Sequence, residues 1–391
     1  MLDRAGDESA GRRKALNQPW PMHQQLPFVN KPVLVFWETT RACDLSCAHC
    51  RASAMTEPLP GELSTEEGME LIDQVASFGR PYPTIIFTGG DPLKRRDLFE
   101  LMAYAKGLGL GFAVSPAMTT LADRMTMSRI RGAGATSISI SRDVARADTH
   151  DSIRGIEGTF DRTVGTTRDA TAMGLRPQIN TAVMKRNFRE LPELFHLIRQ
   201  LGVKTWEVFF VVKVGRGTSV EDLTPRECES VCNFLYDASF YGVTVRCVEA
   251  PFIRRVSARR RESGRYWDSA EYVELSEELV RLEGKPSATQ SSIGPTGTLD
   301  GDGVVFVAHD GEIHPGGLLP LSLGNIRKDN LAQVYRDDPL LRRIRGRQVV
   351  GDCGNCMYSE TCGGSRARAF SAHGDPLASD PACLQTLHQL A

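Results

Sequence analysis

The feature that most constrains the fold is an alternation of short apolar runs with longer amphipathic runs between residue 31 and about residue 255. The apolar runs predict strands at residues 32–38, 84–90, 111–117, 136–142, 176–183 and 205–212, and the other runs predict helices at residues 64–79, 97–109, 159–173 and 190–200. About six β/α repeats imply a parallel sheet with helices outside it, and favour a full or partial barrel over a flat sheet. Ligands of such folds bind at the carboxyl ends of the strands.

The pattern changes after about residue 255. Residues 254–265 are rich in arginine and predict a solvated connector, and residues 284–303 have the Gly, Ser, Thr and Pro content of a long loop. A hairpin that turns at Asp310-Gly311 and a helix near residues 329–346 are predicted to follow. We therefore divide the chain into a mobile leader, a barrel, a connector with a loop, and a small cysteine-containing domain, at residues 1–30, 31–255, 256–302 and 303–391.

The composition excludes several classes of function. The net charge of −1 gives no indication of a nucleic-acid partner. No apolar run approaches the roughly 20 residues that a membrane span needs, and the first 30 residues lack the apolar stretch of a secretion signal. We therefore expect a cytoplasmic protein without a membrane partner, whose cysteines bind metals or act in catalysis rather than form disulfides.

Three of the ten cysteines, Cys43, Cys47 and Cys50, lie within eight residues directly after the first predicted strand. Three thiolates from one tight loop can hold three corners of an iron–sulfur cube, which normally takes four cysteines. The deficit leaves one iron open to bind a substrate or cofactor. A zinc loop is the alternative, although zinc sites usually come as two Cys-x2-Cys-like pairs.

This cysteine spacing resembles the signature of the radical S-adenosylmethionine (SAM) enzymes, with His49 at the usually aromatic position before the third cysteine. The resemblance implies that the open iron of a [4Fe–4S] cluster binds the amino and carboxylate groups of SAM. An electron from the cluster then cleaves SAM to methionine and a 5′-deoxyadenosyl radical, which abstracts hydrogen from the substrate. The resemblance covers roughly residues 31–386, and it implies a partial (β/α)6 barrel of the α/β class.

The stretch TGGDP at residues 88–92 ends the second predicted strand and resembles the family's Gly-Gly-Glu-Pro motif. The resemblance implies that Gly89, Gly90, Asp91 and Pro92 hold the amino group of SAM. Asp91 replaces the usual Glu, which keeps the charge and shortens the reach.

Two further stretches, SISRDV and HDSIRG, resemble the family's Ser-Leu-Asp-Gly motif and the His-Asp-x-x-Arg-Gly that follows it, although Arg142 and Val144 depart from the usual Leu and Gly. The resemblance makes Ser115, Ser141 and Asn180 candidates for contacts to the SAM ribose or carboxylate. Each can equally be a polar residue that lines the barrel.

A Gly-Arg loop follows the sixth predicted strand. Its resemblance to the family's loop makes Arg216 a candidate partner for the SAM carboxylate or for an acid group of the substrate.

A second set, Cys353, Cys356, Cys362 and Cys383, begins with the spacing Cys-x2-Cys-x5-Cys. It resembles the SPASM extension of many radical SAM enzymes, whose full pattern has seven cysteines for two auxiliary clusters. The resemblance implies one auxiliary [4Fe–4S] cluster on these four residues, within a small C-terminal cluster domain. A structural zinc site with the same four ligands is the alternative.

The ligands of the other SPASM cluster are missing as a set. Ser365 stands where the cysteine after the triplet falls in that pattern, and Gly316 stands where the hairpin delivers one. The remaining cysteines, Cys228, Cys232 and Cys247, are expected to be inert, because free cysteine is commonly buried as a small apolar residue.

The stretches WETTRACDLSCAHCRA and CGGSRARAFSAHGDP look most like the haem-biosynthesis branch of the SPASM enzymes. This resemblance implies an oxidoreductase or lyase that decarboxylates, dehydrogenates or epimerises a small-molecule or tetrapyrrole-like substrate. A low-potential donor such as flavodoxin or ferredoxin is expected as partner. The alternatives are a maturase acting on a ribosomally made peptide and a degenerate iron–sulfur scaffold for electron transfer. No residue stands out as the catalytic acid.

Overall fold

A computed structural model describes residues 28–286, 288–294 and 297–387. Residues 1–27 of the predicted leader lie outside the described residues. In the part that is described, no helix is both long and apolar enough to cross a membrane.

Seven parallel strands in the described residues form the barrel sheet: β1 (Leu34–Glu38), β2 (Thr84–Thr88), β3 (Phe112–Val114), β4 (Ser137–Ser141), β5 (Pro177–Val183), β6 (Thr205–Phe210) and β7 (Thr244–Val248). Strands adjacent in the chain are adjacent in the sheet. The six predicted strands are present. Strand β7 was not predicted, because Arg246 interrupts its short apolar run.

Helices cover the outside of the sheet. Those in the described residues are α1 (Thr65–Ala76), α2 (Leu98–Gly107), α3 (Arg124–Ala133), α4 (Ala147–Arg154), α5 (Thr159–Ala172), α6 (Leu191–Gln200), α7 (Pro225–Ala238), α8 (Ile253–Ser263), α9 (Ala270–Glu283), α10 (Leu331–Asp337), α11 (Pro339–Arg345), α12 (Gly351–Asn355), α13 (Arg366–His373) and α14 (Leu384–Leu387). Trp37 and Phe87 on the outer face of the sheet pack under them with ring centroids 5.8 Å apart. The inner face is more polar, and the core therefore lies between sheet and helices.

The C-terminal part of the chain extends the same sheet. Strand β9 (Gly303–Val307) pairs in parallel with β1, and β8 (Leu299–Asp300) pairs with β9. Strands β10 (Glu312–His314) and β11 (Gly324–Asn325) continue it in antiparallel order. The predicted hairpin at Asp310-Gly311 is present, and it places the C-terminal unit beside the first barrel strand.

Three parts of the predicted connector and C-terminal unit differ from expectation. Most of the arginine-rich stretch belongs to α8, where Arg255 is only 2% exposed and donates to both Glu229 carboxylate oxygens (2.9 and 2.5 Å). A buried acidic partner therefore turns a solvated connector into a packed helix. Helix α9 was not predicted. The predicted helix at 329–346 is divided at Asp338, because Pro339 cannot continue α10 and instead begins α11.

Candidate active site

The cysteines of the first motif lie in the loop that connects β1 to α1, at the carboxyl ends of the parallel strands. Cys43 and Cys47 are buried and Cys50 is half-buried. The loop closes on itself, because Cys43 N donates to Met55 O (2.6 Å) and Met55 N donates to Arg41 O (3.0 Å). The motif therefore has a fixed shape at the face where barrels of this kind bind ligands.

The surroundings of the three thiols suit an iron–sulfur cluster. Leu45 N donates to Cys43 Sγ (3.4 Å) and Arg154 Nη1 donates to Cys47 Sγ (3.7 Å). Such donors accompany cluster sulfurs and influence the cluster potential. Burial raises the pKa of the Cys43 thiol to about 12, so iron must displace a proton to bind there.

The two glycines after β2 let that strand end approach the cysteine loop. Gly90 N donates to Thr40 O (2.8 Å) and Asp91 N donates to Ala42 O (2.7 Å). A Cβ on Gly89 would overlap Thr40 O, and one on Gly90 would lie 2.5 Å from Ala42 O. Only glycine fits this close backbone approach, which forms a cradle beside the thiols.

Asp91 is buried and its carboxylate is already engaged. Its Oδ2 accepts from Thr119 Oγ1 (2.8 Å), and its Oδ1 accepts from Leu93 N (3.1 Å) at the start of the turn Pro92–Lys94. Burial raises the pKa of Asp91 to about 6. The shorter side chain thus shapes the turn after the two glycines.

The structure brings Ser141 and Asn180 together. They are register partners, with Ser141 at the end of β4 and Asn180 in the middle of β5, and both are half-buried on the inner face. Asn180 Oδ1 accepts from Gln178 Nε2 (2.8 Å). Ser115, just beyond β3, is also half-buried, and its N donates to Phe87 O (2.8 Å).

Arg216 lies against the cysteine loop, in the turn Gly215–Ser219 after β6. Its N donates to Cys50 O (3.0 Å), its Nε to Cys47 O (2.9 Å) and its Nη1 to Ala54 O (3.1 Å). Its buried Nη2 has no hydrogen-bond partner among the described residues. Its N, Nε and Nη1 therefore hold the cysteine loop, and its Nη2 makes no hydrogen bond to that loop.

The second cysteine set surrounds a cavity of about 230 Å³, which Cys353, Cys356, Cys362, Cys383, Arg255 and Arg259 help to line. Asp380 N donates to Cys353 Sγ (3.3 Å), and Tyr358 N donates to Cys356 Sγ (3.4 Å). Burial raises the pKa of Cys362 to about 12 and that of Cys383 to about 11. All four cysteines therefore line one cavity, together with two arginines, and two of their sulfurs accept from backbone donors.

Two of the positions that lack SPASM cysteines, residues 365 and 316, meet at a pair of carboxyl groups. Ser365 Oγ donates to Glu249 Oε2, and a Cβ on Gly316 would overlap the Asp300 carboxylate. Burial raises the pKa of Glu249, and burial together with the Glu249 charge raises the pKa of Asp300. Acid side chains therefore occupy this space.

The three remaining cysteines lie around helix α7. Cys228 and Cys232 are one turn apart in the helix and buried, and Cys247 of β7 is half-buried. Burial raises the pKa of Cys228 and of Cys232, which disfavours the reactive thiolate.

Comparisons with known proteins decide the family. Residues 37–198 match the model of the Radical SAM superfamily. The chain is 36% identical over 377 residues to the AdoMet-dependent heme synthase of Oleidesulfovibrio alaskensis, covering 94% of this chain and 90% of that protein. It is 34% identical to the enzyme of the same name from Methanosarcina barkeri, covering 92% of this chain and 98% of that protein. The chain belongs to the radical SAM superfamily.

These relatives confirm the predicted haem-biosynthesis branch of the radical SAM enzymes. The structure of Streptococcus suis SuiB bound to its precursor peptide SuiA is similar in fold, with a TM-score of 0.66, 14% sequence identity, and coverage of 91% of this chain and 76% of that one. It confirms the predicted α/β fold class with a parallel sheet.

Sequence reasoning missed Glu207 and Arg246, which continue the inner-face row of this radical SAM barrel. Glu207 pairs in register with Asn180 on one side and with Arg246 on the other. Gln178 Nε2 donates to Glu207 Oε2 (2.8 Å), and burial raises the pKa of Glu207 against the opposing effect of Arg246. The alternation of Trp206, Glu207 and Val208 along β6 is the signal that could have identified it.

A second missed group joins the cysteine loop to the hairpin. Glu38 at the end of β1 accepts from Arg51 Nη2 (3.0 Å) and lies 3.0 Å from His309 Nδ1. Burial opposes ionisation of Glu38, but Arg51 and His309 outweigh it and lower its pKa to about 2. The Arg51 guanidinium also lies 4.6 Å from the centre of the Phe306 ring. Arg51, which follows Cys50 directly, thus connects the cysteine loop to the hairpin of β9 and β10.

Proposed function

We propose that this radical SAM enzyme abstracts hydrogen from a tetrapyrrole-like substrate that carries carboxylate side chains, leading to decarboxylation or dehydrogenation. The observation that carries the proposal is similarity at 36% identity along 94% of the chain to an AdoMet-dependent heme synthase. Both reactions suit carboxyalkyl side chains. Removal of hydrogen from the carbon next to the carboxyl-bearing carbon can precede the loss of carbon dioxide, which is decarboxylation, or the loss of a second hydrogen, which is dehydrogenation.

In this proposal Cys43, Cys47 and Cys50 hold a [4Fe–4S] cluster, which when bound supplies the electron for reductive SAM cleavage. The closed loop, the buried sulfurs and their donors support this ligand set. A zinc ion held by the three thiols would not require the close backbone approach at Gly89 and Gly90, whereas a bound cofactor such as SAM would use it.

The chain's own groups bind and orient SAM beside the thiols. The close backbone approach at Gly89 and Gly90 receives the SAM amino group, and Asp91 and Pro92 shape the turn that follows it. Ser141 and Asn180 are placed for the ribose or carboxylate, with Ser115 on the neighbouring strand. In Arg216, only Nη2 remains for the SAM carboxylate or a substrate acid.

The inner face of the barrel suits a planar apolar molecule with acidic side chains. Phe36 and Ile86 are register partners with half-buried side chains on this face, and Phe209 is half-buried on β6. Arg246 supplies a positive charge from β7. A tetrapyrrole combines an apolar ring with carboxylates and matches both features.

The second cysteine set holds one auxiliary [4Fe–4S] cluster in this proposal. Four cysteines around one cavity of about 230 Å³ give room for a cube, and a complete ligand set leaves no iron open to substrate. Its role is then electron relay or stabilisation of the C-terminal unit. The acid pair at Glu249 and Asp300 supports a single auxiliary cluster, because it fills the space next to residues 316 and 365, where cysteines of the other SPASM cluster are missing.

The electron partner and the location are further parts of the proposal. A low-potential carrier such as flavodoxin or ferredoxin supplies the electron that SAM cleavage requires. The cytoplasmic location stays a prediction.

The experiment is an anaerobic assay of the reconstituted protein with SAM and dithionite, in which 5′-deoxyadenosine is measured by mass spectrometry. The control is the variant with Cys43, Cys47 and Cys50 all replaced by Ala. An iron porphyrin with propionate side chains, deuterated at the propionate carbons, is added as probe substrate. We expect deuterium in 5′-deoxyadenosine. We also expect a porphyrin product that is lighter by carbon dioxide and hydrogen after decarboxylation, or by hydrogen alone after dehydrogenation.

Other results would favour the alternatives. 5′-Deoxyadenosine without deuterium from any porphyrin, but with deuterium from a labelled peptide, would favour a peptide maturase. A protein that retains iron yet forms no 5′-deoxyadenosine in any mixture would favour an electron-transfer scaffold.

A further inference from the structure

The C-terminal end of helix α4 is attached to the first cysteine loop by its backbone. Ser46 N donates to Arg154 O (3.1 Å), and Ala48 N donates to Ile153 O (2.9 Å). Gly155 follows in a left-handed conformation (φ 75°), and a Cβ there would lie 3.0 Å from Ser46 Cβ. The end of the helix and the loop that carries Cys47 are therefore in close, specific contact.

This attachment places a guanidinium on a ligand sulfur. Arg154 Nη1 donates to Cys47 Sγ (3.7 Å), and the Arg154 side chain is only 8% exposed. Arg154 Nη2 lies 2.6 Å from Asp143 Oδ2, and the Asp143 side chain is fully buried. The buried guanidinium of Arg154 thus contacts the Cys47 sulfur on one side and pairs with the Asp143 carboxylate on the other.

Asp143 is itself fixed in position. Its Oδ1 accepts from Ala182 N (2.9 Å), and its own carbonyl accepts from Asn187 Nδ2 (3.0 Å). His49 Nε2 lies 3.9 Å from Asp143 Oδ2, too far for a hydrogen bond. The carboxylate therefore orients Arg154 toward the sulfur and stays behind it.

We propose that Arg154 and Asp143 are positioning residues that set the reduction potential of the cluster on Cys43, Cys47 and Cys50, with opposite signs. The inference rests on the proposed function, because it requires that cluster. Reduction adds negative charge, which a positive charge on the ligand sulfur stabilises and a nearby carboxylate opposes. The low dielectric of this buried site makes both effects larger than at a surface.

The opposite signs separate this role from a structural one. Arg154→Met removes the donor and the positive charge, so the cluster becomes harder to reduce. Asp143→Asn removes the negative charge, while the hydrogen bond from Ser46 N to Arg154 O keeps Arg154 beside Cys47, so the cluster becomes easier to reduce. Loss of packing alone would shift both variants in one direction or neither.

The test is an anaerobic measurement of reduction potential by electron paramagnetic resonance, on the reconstituted full-length protein. The reduced signal that changes on addition of SAM identifies the cluster on the first motif. We expect the ratio of reduced to oxidised cluster at a fixed applied potential to fall about tenfold in Arg154→Met, equivalent to about 59 mV for one electron, and to rise in Asp143→Asn. Arg154→Lys, which keeps the charge, should lie near wild type.

Two further variants keep the test decisive. Arg154→Met with Asp143→Asn leaves no uncompensated buried charge, and its potential should lie between those of the two single variants. If Arg154→Met alone folds poorly, the double variant should still be harder to reduce than Asp143→Asn. Arg260→Met breaks the ion pair with Asp237 on α7, away from the first motif, and should leave the potential unchanged. Equal potentials in wild type, Arg154→Met and Asp143→Asn would overturn the inference. Absence of a SAM-responsive signal in wild type would instead overturn the proposed function.

Discussion

Gly316 and Asp300 lie so close together that any side chain at residue 316 would overlap the Asp300 carboxylate. The same carboxylate faces Glu249, whose other neighbour is Ser365. Residues 316 and 365 are two of the positions at which the SPASM pattern has cysteines and this chain has none. Buried carboxyl groups adjoin both positions, and a cysteine at residue 316 would have no room beside Asp300.

The first prediction concerns this overlap. We expect Gly316→Ala to lower the free energy of unfolding by about 1–3 kcal/mol, the usual cost of overpacking. Thermal and urea unfolding of the reconstituted protein measures it. The double variant with Asp300→Ala removes the overlapping carboxylate and should recover most of the loss. Equal losses from Gly316→Ala with and without Asp300 would show that the strain lies elsewhere.

The carboxyl pair should also make stability depend on pH. Raised pKa values of Glu249 and Asp300 mean that the folded protein keeps a proton which the unfolded chain releases near pH 4. The contribution is complete below that pH and is lost as pH rises through the folded pKa values. Arg368 and Asp380 also act on the pair, in opposite directions.

We therefore expect the free energy of unfolding to fall more steeply as pH rises above about pH 4 in wild type than in Asp300→Asn, by at most about 1.4 kcal/mol for each pH unit. Urea unfolding at several pH values gives the two slopes. Parallel slopes would mean that the pair releases its proton in the folded state as easily as in the unfolded state.

Arg216 gives a prediction for metal content. Arg216→Lys keeps a charge but cannot reproduce donation to both Cys47 O and Ala54 O, so the cysteine loop loosens. A hydrogen bond from a charged group contributes about 1.5–3 kcal/mol, and we expect less iron per chain after reconstitution. Arg186→Lys is the matched control, because Arg186 donates to Ser152 Oγ in an exposed position. Equal iron contents in the two variants would assign Arg216 to SAM or substrate alone.

The sequence predicted what depends on local pattern and missed what depends on long-range pairing. The strand alternation and the spacing of Cys43, Cys47 and Cys50 are local, and they located the sheet and the loop. Burial of Arg255 against Glu229 is not visible in an arginine-rich stretch, because the acidic partner lies 26 residues away. Strand β9 joins β1 across most of the chain length, so the continuity of the sheet also escaped prediction.

The same limit applies to Glu207 and Arg246, whose pairing across β6 and β7 gives the last prediction. Arg246 places a positive charge on the inner face and Glu207 a carboxyl group beside it. If an acidic porphyrin binds against this face, Arg246→Met should weaken its binding several-fold, whereas Glu207→Gln, which removes the repelling charge, should strengthen it or leave it unchanged. The shift of the porphyrin absorption band on binding measures both affinities. Thr205→Val, on the same strand and face, is the control, and weaker binding by Glu207→Gln than by Arg246→Met would place the substrate carboxylates elsewhere in the barrel.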